Sequence, residues 1–92
     1  MAINMASDTA TYEAMTPREL VAAYLSYRLT ARRSDGDRFR DTYQARILEE
    51  VAQARGLTPL LVEGFQQMKR DGWRDLPADV ARDVCQPEEA TP

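Results

Sequence analysis

The sequence predicts an all-α domain, a small bundle of three to four helices with a helix-turn-helix-like corner. Three observations predict it. Apolar residues recur at helical intervals from Leu20 to Val84, capping residues and glycines punctuate that pattern, and no run alternates apolar and polar residues long enough for a strand. A chain of 92 residues has room for one modest core, and 43% apolar with 29% charged residues suits a folded domain with polar ends.

Residues 1–15 mix alanine, serine, threonine and aspartate without apolar periodicity, so a flexible N-terminal arm is expected there. A single helical domain is expected over residues 16–85. It opens on Thr16-Pro17-Arg18-Glu19, with threonine as the cap, proline at the first helical position and glutamate placed to bond back to the cap. Met15 and Leu20 have the spacing of a hydrophobic staple across this start. Leu20, Val21, Tyr24, Leu25 and Leu29 then form an apolar stripe, the last turn is basic and complements the helix dipole, and Ser34-Asp35-Gly36 breaks the pattern.

The second helix is expected from Asp37 to Arg55, with Phe39, Tyr43, Ile47, Leu48, Val51 and Ala52 facing inward. Gly56 ends it, because glycine takes the left-handed closing conformation without steric cost. Thr58-Pro59 then caps a short third helix, Leu57 and Val62 repeat the staple spacing, and Leu61, Phe65 and Met68 supply its buried stripe up to Asp71-Gly72. Trp73 is placed to pack over the end of that helix. Leu76-Pro77 starts a last helical turn or two through Val80 and Val84, and residues 86–92, polar and acidic, read as a disordered tail.

A corner of this kind either reads DNA or simply packs two helices. Ala52, Gly56, Leu57, Val62 and Phe65 suit the scaffold of a DNA reader. The reading helix itself begins Thr58-Pro59-Leu60-Leu61 and carries Glu63, with Gln66, Gln67, Lys69 and Arg70 only near its far end. Base contacts come from the N-terminal part of such a helix, and a net charge of -3 opposes the basic footprint expected of a DNA-binding domain. Arg28, Arg32, Arg33, Arg38 and Arg40 are the nucleic-acid-binding residues of this alternative reading. Their plain explanation is a solvated helix end and helix start.

There is no histidine, and Cys85 is the single cysteine, so the usual general base, an internal disulfide and a metal-ligand spacing are all missing. Glu49 and Glu50 are adjacent on a helix and point about 100° apart, away from any common substrate. The expectation is therefore no enzyme: no catalytic residue, cofactor, metal site or small-molecule substrate. No apolar run approaches the roughly 20 residues that cross a bilayer, and the first residues lack the basic start and apolar core of an export signal. A reducing cytoplasmic setting without membrane association is expected.

The segment RELVAAYLSYRL, from Arg18 to Leu29, resembles the N-terminal homology segment of the B-cell lymphoma family of apoptosis regulators. Gly36-Asp37-Arg38-Phe39 with Tyr43 is similar to the core of that family's ligand-like segment, and Leu57-Thr58-Pro59, Phe65 and Arg70-Asp71-Gly72-Trp73 follow in the family's order. The resemblance implies a truncated relative that binds an apoptotic helix or offers one, with Leu25, Gly36, Asp37 and Phe39 at stake. The chain departs from the family where an apolar central helix would follow, since Gly72-Trp73-Arg74 leads into a charged stretch. Arg32 also stands where the family has leucine, the long first loop is absent, and the third helix is about a turn short.

The reading that emerges is a non-catalytic helical protein-binding module, a regulator, adaptor or small inhibitor, whose partner is another protein or a second copy of itself. Tyr24, Tyr27, Leu60, Trp73 and Met68 together exceed what one small core hides, and Tyr27 and Leu60 lie off the main stripes. Tyr27, Leu60, Glu63, Gln67 and Trp73 are the candidate protein-binding residues. The acids concentrated between Asp71 and Glu89 suggest either a solvated acidic end or a surface that mimics nucleic acid for a basic partner.

Overall fold

Thr16 and Glu19 exchange hydrogen bonds at the start of the most buried helix: the backbone N–H of Thr16 donates to Glu19 Oε1 at 2.9 Å, and that of Glu19 donates to Thr16 Oγ1 at 3.1 Å. This is the capping box that the sequence predicts. The computed structural model describes residues 5–32 and 38–89, which contain α1 (Met5–Glu13), α2 (Pro17–Arg32), α3 (Arg38–Ala54), α4 (Thr58–Arg70) and α5 (Pro77–Glu89), with no strand among them. The fold is all-α.

Helix α2 is surrounded. Leu20, Val21, Tyr24 and Leu25 are buried, and α3, α4 and α5 all pack against it, α3 most extensively. Only Glu19, Ser26, Thr30 and Arg32 of α2 are exposed. The first three share one narrow stripe by helical geometry, and Arg32 emerges on another side.

Helix α3 buries Ala45, Ile47, Leu48, Val51 and Ala52, with Tyr43 packed at the margin. Phe39 corrects the sequence expectation, because it is 83% exposed. The inward positions of the first turns fall to Asp41 and Gln44, so Phe39 lies on the outer face with Thr42, Arg46, Glu49 and Gln53. Asp41 is buried with no hydrogen-bond partner for its Oδ2, in a first turn where the helix dipole favours negative charge.

The corner closes as Gly56 predicts. Its φ is +72°, its N–H donates to Gln53 O at 3.2 Å, and the N–H of Leu57 donates to Ala52 O at 2.7 Å, the pair of bonds of a Schellman motif. The next helix starts a residue earlier than expected. Leu57 is its N-cap, Thr58 is already helical, and no side chain caps it. That shift brings Leu61 rather than Val62 to the staple position, and Val62 is left 49% exposed instead of locking the corner.

Leu61, Gly64 and Met68 form the buried face of α4. Gly64 sets its distance from α2: a Cβ there would lie 3.1 Å from Leu25 Cδ1 and 3.3 Å from Val21 Cγ1, both on fully buried side chains. A second Schellman motif ends α4, with the N–H of Gly72 donating to Lys69 O at 3.2 Å and that of Trp73 to Met68 O at 2.8 Å. Helix α5 begins with Pro77 at its first position, buries Val80, Ala81 and Cys85, and closes the core against α2 and α4. Cys85 thus belongs to the core and not to a tail margin. The helix runs on to Glu89, into the segment expected to be a tail, while residues 90–92 lie outside the described residues.

The N-terminal segment is the other correction. Met5–Glu13 is helical and packs on α3, although its sequence has no apolar stripe. A short helix of this kind takes its stability from docking. Tyr12 is 7% exposed and its hydroxyl donates to Gln44 Oε1, while Arg55 Nη1 donates to Tyr12 O at 3.4 Å in the last turn of α1 and to Met15 O at 2.8 Å just beyond it. One aromatic side chain and one arginine therefore fasten α1 to α3 and the turn that follows it.

Two stability measurements check this packing. Gly64→Val should lower the unfolding free energy by about 1–3 kcal/mol through overpacking, and Gly64→Ala by less, because alanine recovers up to ~1 kcal/mol of helix propensity. Denaturant titration that finds Gly64→Val neutral rules out the close approach. Tyr12→Phe should cost about 1 kcal/mol, since it leaves the buried Gln44 carbonyl short of its donor; an unchanged midpoint would show α1 undocked in solution.

Candidate functional site

Helices α3 and α4 touch but leave part of α2 uncovered between them. A groove remains there, with Tyr24, Arg28 and Arg32 of α2 as its floor. The α3 wall carries Thr42, Arg46, Glu49 and Gln53, and the α4 wall carries Thr58, Leu61, Val62, Phe65 and Gln66. Three adjoining hollows make up its length, of about 650 Å³ beside Val62 and Phe65, about 500 Å³ around Glu49, and about 400 Å³ between Arg28, Arg32, Thr42 and Trp73. The wide end is apolar and the far end is cationic.

Aromatic rings order the cationic end. The guanidinium carbon of Arg28 lies 4.7 Å from the Phe65 ring centroid and 6.0 Å from that of Tyr24, and that of Arg32 lies 4.6 Å from the Trp73 centroid. Phe65 and Trp73 meet edge to face at 5.2 Å with 75° between their planes. Trp73 reaches this place because it follows Gly72 into the left-handed region, with φ of +70° for the glycine and +62° for the tryptophan. A bulky residue held there costs about 1–3 kcal/mol. The ring pair returns about 0.5–1.5 kcal/mol and the cation contact about 0.5–1 kcal/mol, so the strain is roughly offset.

Beside the apolar end, the Tyr24 hydroxyl donates to Glu49 Oε2 at 2.8 Å. Burial, the hydrogen bond to Glu49 and the charge of that carboxylate push the Tyr24 hydroxyl from 10.0 up to about 12, against a smaller opposing effect of Arg28. Tyr24 is therefore a fixed donor that ties α2 to α3. Beyond Trp73, Asp75 is also raised from its usual range, first by a hydrogen bond with the Asp71 side chain, then by desolvation and the charges of Asp71, Asp79 and Asp83. These aspartates gather on one side of the start of α5.

Among the residues the sequence singles out for protein binding, Trp73 lines the groove. Tyr27 and Leu60 are half-buried against the core, so their off-stripe positions do not leave them open. Glu63 is exposed and pairs with Arg70 at 3.8 Å, and Gln67 is half-buried; neither lines the groove described here. Of the basic strip, Arg28 and Arg32 come together over the rings, Arg40 is exposed elsewhere on α3 with interactions of its own, and Arg33 and the Arg38 side chain lie outside the described residues. Gly36 and Asp37 lie outside them too, Leu25 is in the core, and Phe39 is exposed. Val62, Gln66, Glu49 and Gln53 line the groove unforeseen, and the one signal for them was an apolar Val62 flanking the stripe of α4.

The Tyr24–Glu49 pair gives a pH signature. Because the folded-state pKa is raised, the stability linked to Tyr24 is complete below about pH 10 and is lost as pH climbs through about 12. Comparing the phenolate titration of the protein with that of Tyr24→Phe isolates this group, and Glu49→Gln should bring it down by removing the carboxylate charge. A Tyr24 that titrates at the ordinary value would contradict the geometry.

No protein-family model, curated protein or solved structure matches this chain.

Proposed function

We propose that the chain is a non-catalytic helical module that binds a protein segment in the groove between α3 and α4. The observation that carries this reading is the apolar end of the groove, where Val62 is 49% exposed beside half-buried Phe65 and over Tyr24. Apolar surface of this kind gains about 25 cal/mol per Å² when a partner covers it. The surrounding Glu49, Gln53, Thr58 and Gln66 supply a polar rim, which is how protein-binding patches are built.

The absence of catalysis in this reading is supported by where the reactive side chains sit. Cys85 is 1% exposed in the core, and the Glu49 carboxylate is engaged by a tyrosine whose proton is held tightly. No helix among the described residues is long and apolar enough to cross a membrane. The DNA-reading alternative gains little from α4, whose first turns offer Leu60, Val62 and Glu63 outward or to the core margin rather than base-reading side chains. A regulator, adaptor or small inhibitor is the class of role that a module of this size and chemistry fills.

Val62→Asp tests the reading, because it puts an uncompensated charge on the apolar wall while replacing a side chain the core does not need. The variant should keep its helical circular dichroism and lose a partner captured by the wild type, with affinity lowered at least about tenfold, or ~1.4 kcal/mol. Capture that survives Val62→Asp with unaltered affinity would mean that the groove is not the binding surface.

A further inference from the structure

Building on the groove as a protein-binding site, we infer that it selects an acidic amphipathic helix, one that sets two carboxylates a turn apart on Arg28 and Arg32 and an apolar side chain a turn further on. The inference starts from the two arginines. They stand four residues apart on α2, about 6 Å along its axis, and both line the hollow of about 400 Å³ at the narrow end. Rings hold them in place: Phe65 lies under Arg28 and Trp73 under Arg32, at 4.7 Å and 4.6 Å from ring centroid to guanidinium carbon. Stacking occupies the face of a guanidinium and leaves its in-plane N–H fork for a carboxylate.

Among the described residues neither fork is used. No carboxylate among them forms an ion pair with Arg28 or Arg32; Glu63 pairs with Arg70, Asp79 pairs with Arg82, and the nearby Glu49 takes the Tyr24 hydroxyl. Two cations stacked on rings thus face a concave surface, and no carboxylate among the described residues pairs with either. Because the rings already fix the side chains, little rotamer freedom is lost when a carboxylate arrives.

Spacing defines the rest of the partner. One turn from Arg28, away from Arg32, the floor is Tyr24 and the walls are Leu61, Val62 and Phe65. A helix laid in the groove meets this sequence of charge, charge and apolar surface with acids at positions i and i+4 and a large apolar residue near i+7 or i+8. Nucleic acid fits the same surface poorly. A phosphodiester strand carries a charge at every nucleotide and would have to pass Glu49 in the middle of the groove, whereas a peptide can be neutral there.

Selection from a displayed library of random helical peptides tests this on the full chain, with Arg28→Gln/Arg32→Gln, Arg28→Lys/Arg32→Lys and Val62→Asp as comparisons and circular dichroism confirming that each is folded. Peptides enriched on the wild type should carry the spaced acid pair, weaken as salt rises, lose roughly tenfold in affinity on the double glutamine variant, and fall between the two on the double lysine variant, which keeps charge without the planar fork. Enriched peptides that lack the acid pair and bind the glutamine variant equally well, yet fail on Val62→Asp, overturn the acidic specificity and leave the groove reading standing. If no enriched peptide responds to Val62→Asp, the groove reading fails and takes the specificity with it. Retention of a DNA oligonucleotide that disappears with the double glutamine variant would reassign the two arginines to phosphate.

Discussion

The contact of α4 with α2 at Gly64 governs where the other helices can lie. With no side chain at that position, α4 comes down onto Val21 and Leu25 until a single added carbon would crowd them. So close an approach lets Leu61 and Met68 complete a core that α2 shares with α3 and α5. The opposite shoulder of α4 consequently stands apart from α3, and the space between them is the groove. A larger residue at Gly64 would raise α4 and change the depth of that space as well as the stability of the core.

Much of the fold was legible because it is written in local chemistry. The reciprocal bonds of Thr16 and Glu19, the left-handed closure at Gly56 and the proline start of α5 each depend on residues a few positions apart, and each stands where the residue types put it. What the sequence hid depends on distant partners. Helix α1 is held by Tyr12 on Gln44 and by Arg55 across the chain, neither of which leaves a periodic trace. Phe39 faces outward because Asp41 and Gln44 take the inward positions of α3, an arrangement that apolar periodicity alone assigns the other way. The groove was least legible, since its floor and walls come from three helices and use the positions that flank each apolar stripe.

Charge is arranged with more contrast than the net value of -3 suggests. Arg28 and Arg32 stack on the rings of Phe65 and Trp73, while Asp71, Asp79 and Asp83 gather around Asp75 at the start of α5. Clustered carboxylates repel further anions, so the start of α5 disfavours a negatively charged segment where the two arginines favour one. Opposite charges gathered in separate clusters give the surface a direction, which matters more for orienting a charged ligand than for attracting it.

Trp73 is the only tryptophan in the chain, and it stands at the cationic mouth of the groove with a guanidinium over its face and the Phe65 ring packed edge to face with it. Its surroundings change with the position of Arg32. The protein therefore carries its single intrinsic fluorophore in the groove, so a segment bound there as proposed is expected to change its emission without any label.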